Sequence, residues 1–167
     1  MNKAAIENGA YKRRGIMLIK QLSVFIENKV GRLEDVTKAL KDHNINIASF
    51  SLADTAEYGI LRMIVSDPEE GRQVLREKGF SASLTDVIAV KIAQKPGTLH
   101  EVLKVLFEAG LSVEYMYTLS TTGKDTAIIV KSSDLNQALE VLKANGYEVC
   151  TDKEAYELNN INREVVK

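Results

Sequence analysis

The chain has 167 residues, 45% of them hydrophobic and 27% charged, and its 22 basic and 23 acidic side chains leave a net charge of −1. That balance argues against a protein whose main business is nucleic acid or a membrane surface, since neither polyanion would meet a basic stripe. Cys150 is the single cysteine, which excludes an intramolecular disulfide and a multi-cysteine metal site, and no run approaches the roughly 18 apolar residues of a membrane-spanning helix.

Residues 1–16 (MNKAAIENGAYKRRGI) carry no periodic pattern and precede a second methionine, Met17. They read as a disordered leader or an upstream start, with Lys12, Arg13 and Arg14 in a solvated tail. No apolar core follows these basic residues as a secretory signal requires, so a cytoplasmic location is expected. From Met17, MLIKQLSVFIE places Leu18, Leu22, Val24 and Ile26 on one face, the period of a half-buried strand. After Gly31 a helix is expected from the spacing of Leu33, Val36 and Leu40, ending at Asp42-His43-Asn44. INIASFSLA (45–53) and ILRMIVS (60–66) read as a hairpin joined near AEYG. Asp67, Pro68 and Glu70 then open a second helix as a capping box with proline in the first turn, and it stops at Lys78-Gly79. A fourth strand starts at Phe80.

The same series then repeats. FIENKVGRL (25–33) is answered by KIAQKPGTL (91–99), with Asn28 and Gln94, Gly31 and Gly97, and Leu33 and Leu99 each 66 positions apart. Ile88, Val90 and Ile92 take the places of Leu22, Val24 and Ile26. A helix with Leu99, Val102, Leu103 and Leu106 follows, then strands LSVEYMYTL (111–119) and TAIIVKS (126–132) around TTGKD. Ser133 or Asp134 caps LNQALEVLKANG, and a last strand starts at Tyr147. By the second glycine stops, Gly79 and Gly146, the offset has become 67, so one residue has been inserted. A charged tail from about Lys153 is expected to be partly helical.

Each copy thus runs β-α-β-β-α-β, covering 17–85 and 86–152, with no Gly/Ser/Pro linker near Thr85-Asp86. The expected fold class is α+β: two ferredoxin-like units, each a four-stranded antiparallel sheet with both helices on one face. A unit of about 70 residues buries a modest share of its surface and leaves one sheet face and an edge strand open. Packing the copies edge to edge or face to face, as a pseudo-dimer, would cover both.

The strand–ENKVGRL–helix–NINI–strand pattern, repeated with QKPGTL and LSVEY, resembles the ACT domain, a small ligand-sensing module of amino-acid metabolism, from about Met17 to Asp152. The resemblance implies that the loop between strand one and helix one meets a neighbouring domain, with an effector between them. It implies binding roles for Asn28, Val30 and Gly31 in the first loop and Gln94, Pro96 and Gly97 in the second. It adds Asn46 and Ser112, the polar residues that begin strand two in each copy. Val30 stands where the family usually has proline, as in Pro96, and leaves the first loop less rigid.

Chemistry supports a free amino acid as the ligand. Unpaired N–H groups at a helix start, at Gly31-Arg32 and Gly97-Thr98, suit a carboxylate, and a carboxamide serves either end of a zwitterion. Leu33, Ile47, Leu99 and Val113 are candidates to line the side-chain pocket. Catalytic groupings are scarce. His43 and His100 read as surface helix residues, and Gly123-Lys124-Asp125-Thr126 lacks the upstream glycine of a phosphate loop. Tyr115, Met116 and Tyr117 read as packing residues rather than a nucleic-acid stacking platform. The expectation is a non-enzymatic sensor without cofactor or metal, homo-oligomeric (a dimer), with a free amino acid as effector. Its partner could be a metabolic enzyme, as for a regulatory subunit of acetolactate synthase. The remaining alternative is a structural interaction module with degenerate sites.

Overall fold

A computed structural model describes residues 18–54, 57–122 and 125–157. The N-terminal stretch read as a leader, the strand start at Met17, Gly123-Lys124 and the tail beyond 157 lie outside the described residues, as do 55–56. The elements are β1 (Ile19–Glu27), α1 (Arg32–Asp42), β2 (Ile47–Asp54), β3 (Tyr58–Val65), α2 (Pro68–Glu77), β4 (Ser81–Ala93), α3 (Thr98–Glu108), β5 (Val113–Thr122), β6 (Asp125–Ser132), α4 (Leu135–Ala144) and α5 (Asp152–Glu157). Both second helices start on an aspartate whose carboxylate accepts a backbone N–H three residues on: Asp67 from Glu70 and Asp134 from Gln137, each at 2.9 Å.

The strands form one antiparallel six-stranded sheet in the order β2-β3-β1-β4-β6-β5. Two four-stranded sheets have merged because β4 serves both halves. Ser81 to Val87 pair with β1, and Ile88 to Ala93 pair with β6, without a turn between them. The strand expected from Tyr147 is reduced to a single bridge, Val149 to Val90, flanked by the bonds Lys91 N–H to Glu148 C=O and Cys150 N–H to Ala89 C=O, both 2.9 Å. Its place beside β4 is kept, but it forms no extended ladder.

Three cores result. Leu22, Val24, Ile26, Leu61 and Met63 pack under Val36 and Leu40 of α1 and Val74 and Leu75 of α2. Ile88, Val90, Ile128 and Val130 pack in the same way under Val102 and Leu106 of α3 and Ala138 and Leu142 of α4. The third core lies on the helix-free side, where Ile19, Ile64, Val87, Ala89, Leu119, Ile129, Cys150 and Ala155 meet. The sheet therefore curls until its halves face one another, giving layers helix, sheet, sheet, helix. Each large aliphatic side chain fully buried there contributes about 1.5–3 kcal/mol.

This arrangement corrects the half-buried reading of β1: its second face, with Ile19, Gln21 and Ser23, is buried too. The polar residues on it are there by hydrogen bonding. The Gln21 carboxamide NH2 donates to the Tyr115 hydroxyl at 2.9 Å and to Ser23 Oγ at 3.0 Å, and its oxygen accepts from the Tyr117 hydroxyl at 2.9 Å. Arg62 stacks over the Tyr115 ring at 4.0 Å. Burial, then the neighbouring Tyr115, pushes the Tyr117 hydroxyl well above its ordinary value, with Arg62 opposing, so it stays a donor.

Sheet register also locates the inserted residue. β2 and β5 share a bulge, between Ile47 and Ser49 and between Val113 and Tyr115, but β5 carries a second one between Thr118 and Ser120. Leu119 is the extra residue, and it is buried in the core between the halves.

Replacing Gln21 by Leu leaves two tyrosine hydroxyls without their partner, and a loss of about 1–3 kcal/mol is expected in urea unfolding. Cys150 is fully buried, and that burial pushes its thiol up to about 11, with Lys91 opposing. Above the ordinary thiol value of 9.0 the unfolded chain releases a proton that the folded chain retains. Stability from this group is therefore complete below pH 9 and falls as pH rises to about 11. Unfolding followed across that range should show a steeper decline for the wild type than for Cys150→Ala, and thiol reagents at pH 8 should label only unfolded protein.

Candidate functional site

The two strand-to-helix loops have the same backbone. Gly31 and Gly97 are helix N-caps with φ of 88° and 93°, a left-handed conformation that a side chain would strain even though an added Cβ would meet nothing. Lys29 N–H donates to Glu27 C=O at 2.8 Å and Lys95 N–H to Ala93 C=O at 2.9 Å. Asp35 N–H reaches Gly31 C=O at 2.9 Å and Glu101 N–H reaches Gly97 C=O at 3.0 Å. Val30 in place of proline thus leaves the turn's bonding unchanged. The N–H groups of Arg32 and Thr98, expected to be open donors, close these turns onto Lys29 and Lys95 at 3.3 and 3.4 Å. The next two N–H groups of α1, on Leu33 and Glu34, have no backbone acceptor among the described residues.

The loops differ in what surrounds them. In the first, Asn28 is exposed and its N–H donates to Glu57 C=O at 2.9 Å, while its carboxamide has no partner among the described residues. In the second, the Gln94 carboxamide oxygen accepts from the buried Thr126 hydroxyl, and the Thr98 hydroxyl donates to Ala93 C=O at 2.7 Å and Lys95 C=O at 3.0 Å. Arg32 turns away from the sheet edge, with its guanidinium 4.4 Å above the Phe80 ring and bonded to Asp35 at 3.3 Å.

Beside the first loop lies a groove of about 410 Å³ between α1 and β2, lined by Leu33, Thr37, Ile47, Ala48, Ser49, Phe50, Leu61 and Met63. A second groove of about 340 Å³, which Asn46 helps to line, shares Thr37 and Ile47 with it. The structure therefore brings Leu33, Ile47 and Asn46 together. It leaves Asn28, Val30, Gly31 and Arg32 out of the lining, with Val30 fully exposed. Sequence reasoning missed Thr37, Ala48, Ser49, Phe50, Leu61 and Met63. Thr37, one turn beyond Leu33, was the one legible from helical spacing. In the second half, Val113 packs against the core beneath α3 and α4, Leu99 remains partly exposed, and Ser112 is exposed with its backbone held by Ser133. Asn46 is held in the same way by Ser66.

The two loops do not meet within one chain. Phe25 of β1 lies opposite Ser81 and Ile19 opposite Val87, so the first loop sits near the start of β4 and the second follows its end. The 13 residues of β4 span about 40 Å at about 3.3 Å each. His43 Nδ1 lies 3.0 Å from the Ala39 carbonyl at the end of α1, and His100 is exposed. Among the described residues no three His, Cys, Asp or Glu gather as metal ligands, and no helix is long and apolar enough to cross a membrane.

A family model for the ACT domain pair matches residues 17–159. The chain belongs to that family. Its fold is that of tandem ferredoxin-like ACT regulatory domains. The ACT pair is 37% identical to protein BT0572 of Bacteroides thetaiotaomicron, whose crystal structure it matches with a TM-score of 0.80 over 85% of this chain and 98% of that one. Crystal structures of the regulatory subunit of aspartate kinase share the fold at 17% identity. For Thermus thermophilus the TM-score is 0.58 over 77% of this chain and 94% of that one, and for Thermus flavus it is 0.56 over 78% and 96%. None of the curated proteins compared with the chain matches it.

The contrast between loops gives a stability prediction. Asn28→Ala should change unfolding free energy by no more than about 0.5 kcal/mol. Gln94→Ala, by stranding the Thr126 hydroxyl, should cost about 1–3 kcal/mol on the same urea titration.

Proposed function

We propose that this ACT pair is a non-catalytic sensor that binds a free amino acid beside the first loop. The observation that carries the reading is the coincidence at the start of α1. Two N–H groups without backbone acceptors and an Asn28 carboxamide without a partner, both among the described residues, precede an open groove with a mainly apolar lining. The carboxylate and ammonium of an amino acid match the first two features, and a side chain matches the third.

The domain that closes over this loop would come from a second copy of the chain, because the pair's own second loop lies at the far end of β4. Val30, Leu33, Phe50 and Leu52 leave an exposed apolar rim there that a second copy would cover. Ligand binding would then shift the equilibrium between two arrangements of the copies, by as much as its affinity differs between them. The readout would pass to a cytoplasmic enzyme of amino-acid metabolism, a class supported by the fold shared with aspartate kinase regulatory subunits. Acetolactate synthase remains a candidate within that class. No nucleophile, base, cofactor or metal enters this account.

Thermal unfolding in an external dye, since the chain has no Trp, tests it against the twenty L-amino acids. One or two should stabilise the protein, by about 2.7 kcal/mol at a concentration 100 times the dissociation constant. The shift should vanish in Asn28→Ala, and sedimentation should show the ligand changing the population of dimer. If no amino acid shifts the transition, the pair is an interaction module instead.

A further inference from the structure

We infer that the two halves have divided their roles: the first carries the chain's single amino-acid site, and that site takes an apolar or aromatic side chain. This rests on the sensor reading and goes beyond it in fixing both stoichiometry and ligand class.

The shared bulge keeps β2 and β5 in correspondence, so the lining of the first groove can be compared position by position with the second half. Thr37 becomes Leu103, and Phe50 becomes Met116. Phe50 is 67% exposed at the mouth of its groove, whereas Met116 packs down onto the core of the second half. Leu103 is half-buried where Thr37 is exposed. The space that is open in the first half is thus taken up by the protein's own side chains in the second. The carboxamide follows the same rule, since Asn28 has no partner among the described residues while Gln94 is bonded to Thr126. A ligand at the equivalent position of the second half would have to displace packed side chains, and one that used the carboxamide would have to break that bond. The groove of about 430 Å³ that does lie beside the second loop is lined by Lys91, Glu101 and Glu148 and lacks the apolar character of the first.

Ligand class follows from what lines the open groove. No charged side chain contributes to it. Its two hydroxyls have given their protons to other partners: Thr37 to the carbonyls of Leu33 and Glu34, at 3.2 and 3.0 Å, and Ser49 to Thr118 C=O at 2.6 Å. Leu33, Ile47, Leu61 and Met63 supply most of the rest. A charged ligand side chain would lose hydration there and find no counter-charge, whereas an apolar one removes surface from water on both sides. Glycine would leave the groove empty.

Titration calorimetry on the full chain with leucine, methionine, phenylalanine, aspartate, lysine and glycine tests this. At least one of the first three should bind at one molecule per chain, with no heat from the last three. Thr37→Leu, which gives the first half the residue of the second, should weaken binding at least tenfold while the ligand-free unfolding midpoint holds. Should that variant unfold, Phe50→Ala at its exposed position asks the same question. Two ligands per chain, preference for aspartate, lysine or glycine, or wild-type affinity in the variants would overturn the inference and leave the sensor reading intact. Absence of binding by all twenty amino acids would remove both.

Discussion

Ser81 to Ala93 gives the first part of its hydrogen bonds to β1 and the remainder to β6, so one strand is the last of one half and the first of the next. Two independent ferredoxin-like units would meet through a linker and settle their angle by surface contacts. Here the angle is set by the backbone of β4, and the sheet has no internal edge at the junction. The curl that follows brings the helix-free faces together over a third core, into which the inserted Leu119 and Ala155 of α5 also pack. Gln21 belongs to this constraint. Its hydrogen bonds to Tyr115 and Tyr117 tie β1 of the first half to β5 of the second while a third holds Ser23 on its own strand, and a buried carboxamide satisfies all three in one arrangement of the two sheets.

The same strand decides where a ligand site can form. Because β1 and β4 are antiparallel neighbours, the loops that follow them point to opposite ends of the molecule. A pseudo-dimer that kept its loops together could build a site internally, but this one offers each loop to the outside. What then distinguishes the loops is their immediate chemistry. Both loops leave two helix-start N–H groups without a backbone acceptor among the described residues. The first adds a carboxamide with no partner there and a mainly apolar groove, whereas the second has spent its carboxamide on Thr126 and its hydroxyl on the turn. On the proposed reading, divergence at a few positions after duplication makes one half a receptor and the other its scaffold.

Much of the fold was legible because its signals are local. Gly31 and Gly97 mark turns, Asp67 and Asp134 cap helices, and an offset of 66 residues that becomes 67 after Leu119 aligns the two copies. What stayed hidden is non-local. Gln21 and Ser23 look like the wet side of a strand, and only the opposing β5 makes that side a core. A bulge at Ile47 leaves no mark in the alternation, so the faces of Ser49 and Phe50 could not be assigned. The offset of 67 announced an insertion without saying that Leu119 was the residue. Leu33, Ile47 and Asn46 were legible as site candidates, through the family pattern and their place at the start of α1 and β2. That Gln94 is already bonded, and that Arg32 stacks on Phe80, depends on partners 32 and 48 residues away in sequence.

Hydrogen exchange on the intact chain, with and without the amino acid that stabilises it, tests most directly the claim that one half senses while the other supports. The account expects slowed exchange over the first loop, the first turns of α1 and β2 (residues 28–37 and 46–52), with residues 94–103 and 112–118 unchanged. Equal protection at both loops, or protection confined to the second, would contradict it.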